Sequence, residues 1–383
     1  MLVTLLIAAD LAGSLAVSDR TEARVRAPGT APAAASFDLE TAPAVELKLA
    51  SRRSRVALAY APRLTLWDVS STGVRPALLH GGAAHVEWQS HRVRLSLDQA
   101  GSYGGVSFAS ISLTPGPEGA LPRLDALPAP RLIQFASSTT TLASRLTLRR
   151  WLIDMSLGYQ LSGGADAGAR AVLPFQAGPS ARMTAEYEVS RRDHVATTAS
   201  ASEAAFSSGS ESILTEVDES FRHLLSRLTE ARFTLGVSEA RVRTSETASP
   251  VFGSYPVVEA VFEHHPTPEG HIDVRLGARL GPVVNRLVGL VDERVEGSLA
   301  VSHTYRRLTT HAFVSGSQSV PASGANATSL VVGELGTAYG VSRLVALDAG
   351  VRGLWQHQEV AQIGFAQGTL FFGVTFRAPP IRL

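Results

Sequence analysis

Cysteine is absent from all 383 residues, which excludes a disulfide framework, a thiolate metal site and a lipid-modified N-terminal cysteine in one step. An oxidising periplasmic route tolerates such a chain well. Lysine is nearly absent as well. Lys48 stands alone and arginine carries the rest of the cationic charge, a bias that genome composition explains more simply than function does. No sign of charge dominates, because 35 basic and 34 acidic residues leave a formal charge of +1. A global basic field that would attract nucleic acid or anionic lipid is therefore missing. Long apolar runs are missing too: beyond the N-terminus no segment reaches the roughly 18 apolar residues of a membrane helix. A mean hydropathy of +0.10, with 45% hydrophobic and 18% charged residues, leaves a soluble protein or a membrane barrel.

Catalytic signatures are lacking. There is no H-E-x-x-H, no G-x-S-x-G, no P-loop and no Rossmann glycine pattern after a strand, so neither an enzyme nor a bound cofactor or metal is expected. His264-His265 is the one histidine pair, and neighbours on a strand point to opposite faces, which suits polar wall positions better than chelation. Asn326-Ala327-Thr328 matches a glycosylation sequon and here marks only a loop.

What the chain does have is alternation with a period of two. Trp151, Ile153, Met155, Leu157, Tyr159 and Leu161 fall on one face of an eleven-residue segment, against Asp154, Ser156, Gly158 and Gln160. A tilted membrane strand needs about nine to eleven residues, whereas soluble strands cluster near five or six. The pattern repeats through Val93 to Asp98, Arg182 to Val189, Ile272 to Leu280, Val295 to Val301 and Val345 to Trp355. Tight links such as Arg149-Arg150, Ser226-Arg227 and Arg306-Arg307 alternate with longer polar loops, the largest of them rich in Pro and Gly between Thr114 and Pro130. Short turns on one rim and long loops on the other are an outer-membrane signature.

These features predict an all-β transmembrane antiparallel β-barrel of about 16 to 18 strands, with short periplasmic turns and longer extracellular loops. About seventeen segments are countable, and bacterial barrels close on an even number; a rising strand near Ala35 to Leu39 would supply the eighteenth. Residues 1–18 read as a signal peptide, although no basic residue precedes the apolar stretch and Asp10 interrupts it. Residues 19–43 read as a periplasmic lead-in with room for a first strand, 44–377 as the barrel and 378–383 as a tail. Leu370, Phe372, Val374 and Phe376 alternate as a terminal strand recognised by the barrel assembly machinery should.

The face opposite the apolar one lines the lumen, at Glu87, Arg92, Arg94, Asp98, Asp154, Arg182, Glu186, Glu188, Arg232, Glu263, Asp273, Arg275, Arg279, Glu296, His303, Asp348 and Arg352. Both signs occur in similar number. A strong ion filter needs a ring of one sign, so this wall suits water, neutral solutes or a hydrated polymer; the plainer role for each charge is pairing across strands. Tyr60, Trp67, Trp88, Trp151, Tyr187, Tyr305, Tyr339, Trp355 and Phe376 read as interfacial anchors toward outer-membrane lipid and lipopolysaccharide.

Arg63-Leu64-Thr65-Leu66-Trp67-Asp68, Leu79-His80, Val86-Glu87-Trp88, Arg92-Val93-Arg94-Leu95 and Leu97-Asp98, together with Phe221-Arg222-His223 and Leu225 to Thr229, resemble the barrels encoded in exopolysaccharide secretion loci. That resemblance implies an outer-membrane passage for a polymer, working with a periplasmic polysaccharide export protein, and supplies no catalytic residue to carry over. A small-solute porin and a plugged surface scaffold are the alternatives. Nucleic acid is not an expected partner.

Overall fold

A computed structural model describes residues 12–28, 36–67, 75–107, 132–245, 247–265, 272–285, 289–320, 328–358 and 363–382. The strands, in chain order, are β1 (Ala12–Pro28), β2 (Ser36–Ala50), β3 (Ser54–Tyr60), β4 (Arg63–Trp67), β5 (Arg75–Gln89), β6 (Val93–Ser107) and β7 (Leu132–Thr147). There follow β8 (Trp151–Gly164), a short helix α1 (Ala167–Val172), β9 (Gln176–Glu188), β10 (Asp193–Phe206), β11 (Glu211–Leu224), β12 (Thr229–Arg243) and β13 (Val251–His264). The chain ends with β14 (Ile272–Val284), β15 (Val291–Tyr305), β16 (Leu308–Val320), β17 (Thr328–Gly340), β18 (Val345–Gln358), β19 (Ile363–Arg377) and β20 (Ile381–Arg382).

Sequential neighbours pair antiparallel all the way round, and β19 returns to β1 from Ser18↔Arg377 to Pro28↔Gln367. The result is a closed barrel of 18 wall strands. Two of the 20 segments add no wall position. β3 and β4 share one, since both lie between β2 and β5. The break falls at Ala61-Pro62, where proline has no N–H to give the ladder; Ala61 N–H still donates to the Gly81 carbonyl at 2.8 Å. Gly81 suits that close approach, because a Cβ on it would sit 3.0 Å from the Ala61 carbonyl oxygen, a tight contact. β20 extends the closure seam, with Ile381 and Arg382 opposite Leu15 and Ser14 on β1.

The wall therefore begins earlier than the alternation after residue 44 suggests. Residues 19–43 are the second half of β1, a connection and the first half of β2, which corrects the lead-in. The rising strand before Val45 is β1 and not Ala35 to Leu39, which belongs largely to β2 itself. Ala12 to Ser18 of the expected leader pair with Ala44 to Ala50, while residues 1–11 lie outside the described residues. So does the Thr114 to Pro130 loop.

Burial is inverted relative to a soluble protein. Leu157 is 60% and Leu370 59% exposed, whereas Glu22, Arg24 and Asp38 are 3%, 4% and 1% exposed. Apolar side chains face outward as lipid requires, and the closed ladder satisfies the backbone without an edge. The outward aromatics Trp88, Trp151, Tyr305, Tyr339, Trp355 and Phe376 stay exposed. Tyr187 packs on Trp151 with ring centroids 4.8 Å apart.

Candidate functional site

The inward face of the wall is the candidate site, and strand parity alone decides which residues reach it. Its largest concentration of charge spans β9 to β15. Arg182, Thr184, Glu186, Thr198, Glu216, Asp218, Arg222, Arg232, Glu259, Arg279 and Glu296 are among the residues around a cavity of about 320 Å³. Two pairs reach past intervening strands: Arg222 on β11 donates to Glu186 on β9 at 2.6 Å, with β10 between them, and Arg279 on β14 meets Glu216 on β11 at 3.3 Å, with β12 and β13 between them. Arg232 and Glu259 pair between adjacent strands at 3.4 Å. These charges are partly solvated; the side chains of Glu186 and Arg222 are 23% and 30% exposed.

Other inward charges pair locally. Arg145 forks onto Asp154 at 2.7 and 3.1 Å, Arg275 meets Glu263 at 3.0 Å, and Arg94 Nε donates to Glu87 at 2.8 Å. Arg352 donates to Glu334 at 2.7 Å, and His311 meets the other oxygen of that carboxylate at 3.1 Å. A different lining follows along β16 to β19, where Ser315, Leu330, Val332, Thr369 and Phe371 face inward and are buried. Leu354 packs on the Leu330 and Val332 pair.

The third region is the closure seam. Arg26 holds Asp38 through both Nε and Nη2, the latter at 2.8 Å, and its guanidinium lies 4.1 Å from the centre of the Trp67 ring. Arg24 bridges Glu22 and Glu40, the latter at 3.0 Å, and Thr65 donates to Glu40 at 3.3 Å. Arg20 reaches Asp348 at 2.9 Å across β19. That reach needs Gly373, because a Cβ there would lie 2.7 Å from the Asp348 carboxylate.

Strand parity places Glu87, Arg94, Asp98, Asp154, Arg182, Glu186, Glu188, Arg232, Glu263, Asp273, Arg275, Arg279, Glu296, Asp348 and Arg352 on the inward face. Arg92 and His303 are corrections. Arg92 sits in the turn before β6, where strand parity no longer applies. His303 lies opposite Ile272, on the same face as Leu299 and Val295; two residues beyond Val301, it keeps to the apolar side. Trp67 is a third correction, since the pairing of Thr65 with Glu40 turns it inward and not toward lipid. Glu22, Arg24, Arg26, Asp38 and Glu40 went unnominated because residues 19–43 read as lead-in. The spacing of Glu22, Arg24 and Arg26 against Ala23, Val25 and Ala27 was the available signal.

A model of the EpsX exopolysaccharide export family matches residues 5–375. The chain belongs to that family. Its barrel is similar to solved outer-membrane barrels. OccK9 (OpdG) of Pseudomonas aeruginosa aligns with TM-score 0.51 at 11% identity, over 96% of this chain and 98% of that one. OpdQ of the same organism aligns with TM-score 0.50 at 9% identity, over 97% and 98%. The FrpB iron transporter of Neisseria meningitidis aligns with TM-score 0.50 at 9% identity over 90% of this chain, which spans only 62% of the transporter's length. At such identities the likeness is one of fold. No curated protein sequence matches the chain. The EpsX-family barrel is thus an outer-membrane barrel, whose short turns face the periplasm.

Proposed function

We propose that this barrel is the non-enzymatic outer-membrane stage of polysaccharide export, receiving the polymer from a periplasmic export partner. The observation that carries the proposal is the lumen wall of β9 to β15: a polar cavity edged by Arg182, Arg232 and Arg279 on one hand and Glu216, Asp218 and Glu259 on the other. Cations and anions mixed at this spacing neutralise one another, so no ion species is strongly favoured. Hydroxyls of a sugar can accept from the arginines and donate to the carboxylates. Membership of an exopolysaccharide export family supports the same substrate class. The described turns on that rim span only a few residues each, and a separate periplasmic protein that hands over the polymer fits such a rim.

The test is an in-frame deletion strain in which surface-exposed and cell-retained polysaccharide are compared by carbohydrate assay. Loss of surface polymer, restored by the gene on a plasmid, is the expected result. Unchanged surface polymer overturns the proposal for the polysaccharides assayed and makes small-solute passage the better account, to be measured by conductance of the purified barrel.

A further inference from the structure

The formal charge of +1 conceals an uneven distribution. Within the lumen most cations are paired, but the short turns carry arginines that are not. Four of those turns hold tandem pairs, Arg52-Arg53, Arg149-Arg150, Arg191-Arg192 and Arg306-Arg307, and every one of the eight is exposed. The described turns at 90–92, 225–228 and 341–344 each add one exposed arginine. None of these turn arginines forms an ion pair with a described residue. The opposite rim is less basic: its connections hold no tandem arginines, and 29–35, 207–210 and 321–327 contain no charged residue, while single arginines such as Arg123, Arg170 and Arg286 occur in others.

The turns close on serine hydroxyls, so their own fold does not use the arginine side chains, although Arg307 Nη1 donates across to the Val341 carbonyl at 3.2 Å. Ser190 Oγ accepts from the backbone of Arg192 and Asp193 at 3.1 and 3.0 Å, and Ser90 and Ser342 close their turns in the same way. In the link between β15 and β16 the chain accepts strain to keep an arginine. Arg306 has φ +53, the one positive φ among described non-glycine residues, at a turn position where glycine or asparagine would sit more easily.

Two of the guanidiniums show which way the ring leans. Arg150 donates to the Tyr187 hydroxyl at 3.4 Å, and Arg306 lies 5.3 Å from the centre of the Tyr305 ring. Tyr305 is exposed on the lipid-facing side, and Tyr187 packs there against Trp151. Aromatics of this kind mark the headgroup level of a bilayer, and the guanidinium fork matches phosphate. Arginines spread around the circumference fit an annulus of lipid better than a partner docked on one side.

We infer that the arginines of the short turns form a binding collar for anionic phospholipid headgroups in the periplasmic leaflet. The collar fixes the depth and orientation of the barrel independently of what passes through it.

The test uses the purified full-length barrel in mixed micelles with equal amounts of phosphatidylglycerol and phosphatidylcholine, and counts retained lipids by native mass spectrometry. Wild type retains phosphatidylglycerol preferentially. The variant R149Q/R150Q/R191Q/R192Q/R306Q/R307Q loses that preference. Because removing six charges can hinder insertion, R149Q/R150Q is measured beside it, with heat-modifiable gel migration as the folding check. Its preference falls about fivefold or more, the factor expected for loss of a basic residue at a lipid surface. Equal retention of the two lipids by wild type overturns the inference, as does an unchanged preference in the folded variants. Unchanged lipid preference with loss of binding to polyglutamate would assign the collar to an acidic protein instead.

Discussion

The closure seam and the β9 to β15 arc use the same side chains, arginine against glutamate and aspartate, to different ends. At the seam Arg24, Glu22, Asp38 and Glu40 are buried, and the pairs are held at hydrogen-bond distance. Around the cavity Glu186, Arg222, Arg232 and Glu259 remain partly exposed, and Arg232 and Glu259 stand 3.4 Å apart. Burial decides what each network does. A desolvated pair cannot lose one partner without stranding the other, so the seam is structural; a solvated pair can exchange its partner for a passing hydroxyl at little cost.

The largest expected effect comes from breaking the seam. Asp38→Ala removes the carboxylate that Arg26 holds through two nitrogens and leaves a buried guanidinium with the Trp67 ring as its remaining partner among the described residues. The loss should be of the order of 3–5 kcal/mol, read as a lower temperature of conversion to the unfolded band on semi-native gels. A change as small as that of a surface pair would show that the seam is no different from the cavity.

Gly373→Val is next. Its Cβ would stand 2.7 Å from the Asp348 carboxylate and displace it from Arg20, so overpacking and a lost bridge act together. About 1–3 kcal/mol is expected, by the same thermal assay, and Gly373→Ala should give the same sign at smaller size.

In the arc the order of effects reverses. Arg232→Gln and Glu259→Gln each remove one partner of a single, part-solvated ion pair at 3.4 Å, with a stability change of at most about 1 kcal/mol. The reversal potential across planar bilayers should nonetheless move in opposite directions, toward cation preference for Arg232→Gln and toward anion preference for Glu259→Gln. Shifts of the same sign would remove the cavity from the conduction path.

This contrast was only half legible in the sequence. Alternation is a local property, so it gave the strand length, the short and long connections and the inward face of β5 to β9. It failed for β1, because Ala12 to Ser18 is also what the core of a leader looks like, and nothing local reports that Ser18 lies opposite Arg377. Closure is a contact between the two ends of the chain. The same limit explains Trp67: its outward appearance as an aromatic near a strand end is overruled by pairing with β2, set beyond a proline break. His303, in contrast, was legible, since its odd number already placed it with Val301. The pairs that reach past intervening strands, Arg222 with Glu186 and Arg279 with Glu216, depend on wall curvature and have no signature in spacing.

The smallest effect belongs to Trp67→Phe, and it tests whether the seam is held by charge or by the ring. The indole Nε1 is buried without a hydrogen-bond partner among the described residues, so removing it relieves a desolvation cost. Phenylalanine keeps an aromatic face under Arg26 and forfeits some packing volume. Gain and loss are both about 1 kcal/mol, and a midpoint close to wild type is expected. Trp67→Ala removes the face as well, and should destabilise by roughly 3 kcal/mol or less, the lower end for loss of a buried ring, because this ring is half-buried. If Trp67→Phe alone were as damaging as Asp38→Ala, the indole N–H would have to be engaged, and the ring, more than the Arg26 to Asp38 pair, would be what closes the barrel.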